Sequence, residues 1–293
     1  MEVIMSQLTT RKAAQILGVS EASIKRWCDC GRIGASKTPG GHRRLSEQAL
    51  MDFVKENKYT LAHPELLTMS VVSKPRDLVK EEGQVAILEA LRNQDKASLH
   101  AILKEWFYCG YSLDKIFDQV AAPVFQEIGC LWAGGELDVA QERAACTLFH
   151  QVLIELSAVL KPKQEKNLHA VGGALTGDWY TLPGTMVDLV LREQGWQSLC
   201  LGGHLPAESL VNAIKRHRPN LFWLSVSHVQ DQASFLRDQA KIAEACTEMG
   251  CFLIMGGQAL TAELRKKMAY SVYCDTLTHM TTLLKRIFED GKS

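Results

Sequence analysis

In the first sixty residues the apolar positions repeat at helical spacing, and turn residues interrupt them twice. Ala13, Ala14 and Leu17 share one face behind Thr9 and Thr10, whose hydroxyls suit a helix N-terminus, and Gly18 ends the run. Ser20 opens a second run with Ile24 and Trp27 on its apolar side, which assigns Trp27 to a core. Two short strand-like arms then flank Pro39-Gly40-Gly41. The spacing predicts a winged helix-turn-helix over residues 1–56.

From 57 to 83 the periodicity fades and Pro64 and Pro75 appear, which suits a linker. Helical spacing returns over 84–93, 96–108, 112–132 and 138–160, with short connections that predict an antiparallel four-helix bundle across 84–162. The pattern changes again over 166–293. Strand-like runs at 168–175, 196–201, 221–225, 251–255 and 271–274 alternate with helical stretches. That alternation predicts a doubly wound parallel α/β sheet covered on both faces, with ligands at the carboxyl ends of its strands.

Composition sharpens this picture at one point. The 293-residue chain has no net charge, yet residues 1–60 hold ten Lys and Arg against six acids, which leaves the remainder acidic. A basic head on an acidic body suits a nucleic-acid binder with a separate effector module. No apolar run reaches the roughly 18 residues of a membrane helix, and no secretory pattern opens the chain, so a cytoplasmic protein without membrane contact is expected. Nine cysteines scattered through regular segments imply reduced thiols, and Cys28-Asp29-Cys30 is too tight for a zinc pair.

The expected DNA contacts follow from the head. Thr10, Ser23, Lys25 and Arg26 belong to the helix pair whose second member enters the major groove. Lys37, Thr38, His42, Arg43 and Arg44 lie on a wing able to approach phosphates or the minor groove. Lys37-Thr-Pro-Gly-Gly-His-Arg-Arg44 resembles the wing of MerR-type regulators. Such heads read paired half-sites of double-stranded DNA, so a homo-oligomer, dimer or tetramer, is expected.

In the second helical region, Trp132 precedes Glu142 by ten residues, and Arg143 follows. This resembles the signature of a helical cap lying over a corrinoid, in which a histidine follows the glutamate. The loop Gly177-Asp178-Trp-Tyr180-Thr-Leu-Pro183-Gly184, the Ser225-Val-Ser227 segment and Gly256-Gly257 are similar to the corresponding loops of cobalamin-binding domains. Head, cap and sheet together resemble the CarH/LitR family of MerR-like regulators over essentially the whole chain. That resemblance implies a transcriptional regulator, a repressor rather than an activator, and not an enzyme. It also implies a ligand between cap and sheet, touched by Trp132, Glu142, Arg143, Asp178, Tyr180, Ser225, Ser227, Gly256 and Gly257, with the nucleotide tail beside the serine motif and the paired glycines.

The sequence departs from that pattern at its imidazoles. Tyr180 stands where the resemblance places the cobalt-ligating histidine, Pro183 where it places a glycine, Ala133 where light-sensing members carry a second histidine, and Arg143 at the cap histidine. A neutral phenol is a poor cobalt ligand. Arg143 either pairs with Glu142 to close the chamber or meets an anionic ligand group.

Three functions follow. The regulator binds cobalamin or another tetrapyrrole such as haem without histidine ligation, with Tyr180, His204 and His228 as weak metal candidates. Alternatively it binds none, and the α/β domain serves oligomerisation or docking of a partner protein. The third, a corrinoid-dependent enzyme subunit, fits poorly with a DNA-binding head.

Overall fold

The computed structural model describes residues 7–38, 41–57, 59, 62–63, 80–158 and 167–288. Pro39 and Gly40 of the wing tip, most of the expected linker with Pro64 and Pro75, and the segment just past 158 lie outside the described residues. Packing divides the chain into two compact units, one built on the head and one on the elements of 80–107 and 111–288.

In the head, β1 (Gln7–Thr9) leads into α1 (Thr10–Leu17) and α2 (Glu21–Asp29). The wing strands β2 (Ala35–Lys37) and β3 (Arg43–Ser46) precede α3 (Glu47–Asn57). Both caps form as expected: Thr9 Oγ1 accepts the Lys12 N–H and Ser20 Oγ accepts the Ser23 N–H, while Gly18 takes a left-handed conformation at φ 65°. Trp27 is buried and packs at a tilt against Phe53, with 4.8 Å between ring centroids. The head packs past the expected boundary at 56. Tyr59 joins the Trp27–Phe53 cluster, and the Ala62 and His63 amides donate to the Ile16 carbonyl.

In the second unit the expected bundle forms as α4 (Lys80–Arg92), α5 (Lys96–Tyr108), a long third member and α8 (Val139–Ser157). The third member is not one regular helix, as the sequence pattern predicts, but α6 (Leu113–Ile116), a π-helical turn (Phe117–Ala121) and α7 (Ala122–Ala133). Pro123 accounts for part of this departure. It has no N–H to give the Gln119 carbonyl, and the Gln84 side-chain amide donates to that carbonyl at 2.9 Å instead.

The sheet that follows is parallel, with strands β4 (His169–Gly173), β5 (Gln197–Cys200), β6 (Leu221–Ser225), β7 (Phe252–Gly256) and β8 (Val272–Cys274) in the order β5-β4-β6-β7-β8. Its helices are α9 (Leu182–Glu193), α10 (Ala207–His217), α11 (Gln232–Met249), the short α12 (Ala262–Arg265) and α13 (Leu277–Phe288). The strand order reverses between β4 and β6, so the crevice that such sheets use for ligands opens at the carboxyl ends of those two strands.

Three carboxylates pin the bundle to this α/β layer. Asp118, in the π turn, accepts the Leu277 and Thr278 amides at 2.9 and 2.8 Å and so caps α13. Glu193, at the end of α9, accepts the Leu113 N–H at 3.1 Å, and Asp114 accepts the Thr281 hydroxyl at 2.8 Å. Anions at free helix amides are stabilising, so bundle and sheet are held in fixed register around the crevice.

Candidate functional site

The head presents fewer free cations than the sequence suggests. Arg43 and Leu45 alternate to the same face of β3, and Leu45 is in the core, so Arg43 turns toward α2. There its guanidinium grips Asp29 with three contacts of 2.7–2.9 Å. Arg44, on the opposite face, points away from that core. Thr10 is buried, and its hydroxyl donates to Glu21 at 2.8 Å, which takes it out of reach of a duplex. Lys25 pairs with Glu21 at 2.9 Å, and the Ser23 hydroxyl bonds that of Ser20 at 2.9 Å. Arg26, Lys37 and His42 are exposed, and Thr38 shapes the wing turn by accepting the His42 N–H at 3.2 Å.

At the sheet's switch point, Asp178 is only 2% exposed. Its Oδ1 accepts the Tyr180 N–H at 3.1 Å, and its Oδ2 accepts the Ser227 and His228 amides at 2.6 and 3.2 Å. The carboxylate therefore ties the loop after β4 to the loop after β6, with three of its roughly four acceptor sites taken by backbone. His204 closes the same corner. Its N–H donates to the Asp178 carbonyl at 2.7 Å and its Nδ1 accepts the Gly177 N–H at 2.9 Å. The Trp179 ring, 63% exposed, stacks on the His204 ring at 3.6 Å. Of the three weak metal candidates, His204 has only Nε2 free of these bonds, His228 is exposed, and Tyr180 faces an arginine. Among the described residues no group of three or more His, Cys, Asp or Glu side chains is placed to hold a metal ion.

That arginine is Arg143 of α8. Its guanidinium carbon lies 5.6 Å from the centre of the Tyr180 ring, a cation–π contact joining bundle and sheet loop. Glu142 Oε2 sits 3.4 Å from Arg143 Nε and Glu142 Oε1 accepts a weak 3.5 Å bond from the Cys146 thiol. Burial pushes that thiol up to about 12, so it stays protonated. Farther along α8, His150 Nε2 meets Thr185 Oγ1 at 3.0 Å. Thr185 already donates to the Thr181 carbonyl at 3.2 Å, which makes His150 Nε2 the donor. Trp132, 50% exposed, and exposed Val139 stand at the α7–α8 corner above.

Ser225 is buried and Ser227 half-buried at the end of β6. Gly256 ends β7 and Gly257 follows it, but the reason for glycine at 257 differs from the expected room for a ligand. At φ 131°, an added Cβ would lie 2.2 Å from the Val226 carbonyl oxygen, so the neighbouring backbone already occupies that space. A groove of about 370 Å³ exists elsewhere, lined by His169, Arg192, Trp196, Gln197, Leu199 and His217, at the amino end of β4 and β5, far from these loops.

Comparison with known proteins fits this architecture. Residues 8–58 match the model of the helix-turn-helix domain, and residues 85–157 match that of the B12 binding domain. The chain is 24% identical over 268 residues, 84% of its length and 87% of the other, to the HTH-type transcriptional repressor CarH of Myxococcus xanthus. Its modules are those of a CarH-type regulator. The monomethylamine corrinoid protein of Methanosarcina barkeri superposes with a TM-score of 0.58 over 71% of this chain and 100% of its own, at 15% identity, which extends the likeness of fold to bundle and sheet together.

At this crevice the described side chains present no axial imidazole to the cobalt of a corrinoid. Tyr180 supplies no imidazole, and the weak metal candidate His204 is stacked beneath Trp179. Any flat macrocycle between Arg143 and Tyr180 needs about 7 Å, two van der Waals contacts of roughly 3.5 Å, so it must displace the arginine from its present 5.6 Å. Sequence reasoning missed two residues here. Trp179 lies inside the quoted loop and its stacking partner is 25 positions away in sequence, beyond any local pattern. Trp223 of β6 reads as an ordinary strand residue, and its importance depends on which glycines face it.

Proposed function

We propose that this chain is a DNA-binding transcriptional regulator, a repressor, whose bundle and α/β layers sense a corrinoid or other tetrapyrrole without an axial histidine. The observation that carries this reading is the exposure of Trp132, Trp179 and Tyr180 on the two layers that Arg143 bridges. Trp132 and the outer face of Trp179 are open, and the Tyr180 ring becomes so once Arg143 moves, which suits a planar ligand held by stacking. Arg143 is 56% exposed and anchored by little besides Glu142 and Tyr180, so it can swing aside as such a ligand enters. The head reads a promoter through Arg26, Lys37 and Arg44, with Arg43 setting the wing against α2. Pairing of half-sites makes the working form a homo-oligomer.

The test is an absorption spectrum and a thermal melt of the purified full chain with cobalamins, cobinamide and haem. A ligand-induced rise in melting temperature is expected for at least one of them, and Arg143→Ala should strengthen binding by clearing the interval above Tyr180. No bound chromophore and no shift with any of them would refute the sensing role. A second reading, a ligand-free layer that docks a protein partner or a second copy, is favoured by the Arg143–Tyr180 contact itself. It predicts that Arg143→Ala leaves every ligand unbound and changes the oligomeric state instead.

A further inference from the structure

Trp223 is among the largest fully buried side chains, at 2% exposure, and its indole nitrogen is a buried donor with no partner among the described residues. It sits on β6 two residues before Ser225 and therefore shares the face of the sheet that Ser225 presents. Its register partner on β4 is Gly172, where an added Cβ would lie 2.0 Å from the indole. The far edge of the ring reaches Gly184 in the first turn of α9, 3.4 Å from where a Cβ would stand, as is the Cys200 sulphur of β5. The indole thus reaches from the Gly172 position of β4 to Gly184 of α9, the helix that follows the loop that Asp178 clamps. Gly172 and Gly184 leave a cradle between sheet and helix, and the protein's own tryptophan fills it. The next opening, at Gly257, is filled by the Val226 backbone.

We infer that Trp223 is a specificity-determining residue: it occupies the space that a nucleotide tail beside Ser225 would need, so the effector layer takes planar tetrapyrroles without such a tail and rejects intact cobalamin. The orphaned indole N–H supports this assignment, because an aliphatic residue would fill a merely structural gap without leaving a donor unpaired. The inference rests on the sensing role proposed above and adds the ligand class to it. Nothing smaller than removal of the ring opens the cradle, since Gly172 and Gly184 have no side chains to withdraw.

Equilibrium dialysis of the full chain against cobinamide and against hydroxocobalamin, read by absorption, tests it. Wild type should bind cobinamide at least about tenfold more tightly than hydroxocobalamin. Trp223→Ala should narrow that ratio by a similar factor, chiefly by gaining the tailed ligand, and Trp223→Leu, which keeps the core apolar if the alanine variant fails to fold, should do so in part. Equal or tighter binding of hydroxocobalamin by wild type overturns the inference. If wild type binds neither, the sensing role fails, and the inference stands or falls separately on whether a folded Trp223 variant acquires hydroxocobalamin.

Discussion

Asp178→Ala is expected to destabilise the second unit by about 3–5 kcal/mol. The wild-type carboxylate is 2% exposed and accepts three backbone amides, from Tyr180, Ser227 and His228, at 2.6–3.2 Å. Hydrogen bonds to a charged acceptor contribute roughly 1.5–3 kcal/mol each, and an unpaired buried donor costs about 1–3 kcal/mol. The three terms do not add fully. Tyr180 lies at the surface, where water can replace its partner, and relaxation of the two loops lets the others recover part of the loss. For a unit of this size, about 2–4 °C per kcal/mol places the fall in melting temperature on the order of 10 °C. Asp178→Asn is the sharper probe. An amide keeps one acceptor and turns an N–H₂ toward backbone donors, so it should lose nearly as much as alanine despite its matching shape. The assay is thermal unfolding of the full chain by far-ultraviolet circular dichroism, with DNA binding checked below the transition. A shift under about 2 °C for either variant would show that the carboxylate is not what joins the loops after β4 and β6, and would return Asp178 to the direct ligand-contact role expected from sequence.

Other expectations bear on separate parts of the molecule. Arg44→Ala should weaken binding to all duplexes and reduce the salt slope by about one counterion, as measured by titration at several salt concentrations. Arg43→Ala and Asp29→Ala should each weaken binding non-additively, since both break the same link between wing and α2; strict additivity would refute the positioning role. Gly257→Ala, with φ at 131° and a Cβ 2.2 Å from the Val226 oxygen, should cost roughly 3 kcal/mol or more in denaturant melts. Burial pushes Cys146 and Cys274 each up to about 12, from an ordinary thiol value near 9. Their contribution to stability is therefore complete below pH 9 and is lost as pH rises from there toward 12, because the unfolded thiols ionise first. At pH 8 both should resist iodoacetamide until the chain is unfolded, while exposed Cys30 and Cys130 react.

The elements were legible wherever periodicity and capping act locally. Thr9, Gly18 and Ser20 mark the head's helices because a cap is satisfied within three residues, and the alternation of strand and helix after 166 fixes the parallel sheet. What the sequence concealed lies in partnerships across distance. Arg43 looks like a phosphate ligand until Asp29, 14 positions earlier, is seen beside it. Thr10 looks like a surface hydroxyl until Glu21 takes its proton donor. The π turn is hidden because its cause is shared between Pro123, Gln84 and the cap that Asp118 makes on α13, 159 residues away. Gly257 shows a subtler gap, since a glycine near a ligand and a glycine under a carbonyl look the same in one dimension.

Two of the departures from the corrinoid pattern are physically coupled. Arg143 and Tyr180, two of the positions expected to be imidazoles, touch each other at 5.6 Å across the bundle and sheet loop. The guanidinium is 56% exposed and so keeps much of its hydration, while Glu142 lies 3.4 Å from its Nε and the phenol ring accepts its face. Replacing only Tyr180 by histidine would therefore not restore a metal-binding crevice. It would set an imidazole against a cation, above a cradle still filled by Trp223. Cobalt ligation by an imidazole is therefore expected only when Arg143, Tyr180 and Trp223 change together; Tyr180→His alone should show no cobalt–imidazole absorption with hydroxocobalamin, and Trp223→Ala alone should admit that ligand without such ligation. A single Tyr180→His variant that shows cobalt–imidazole absorption would mean that the arginine and the tryptophan do not guard the site.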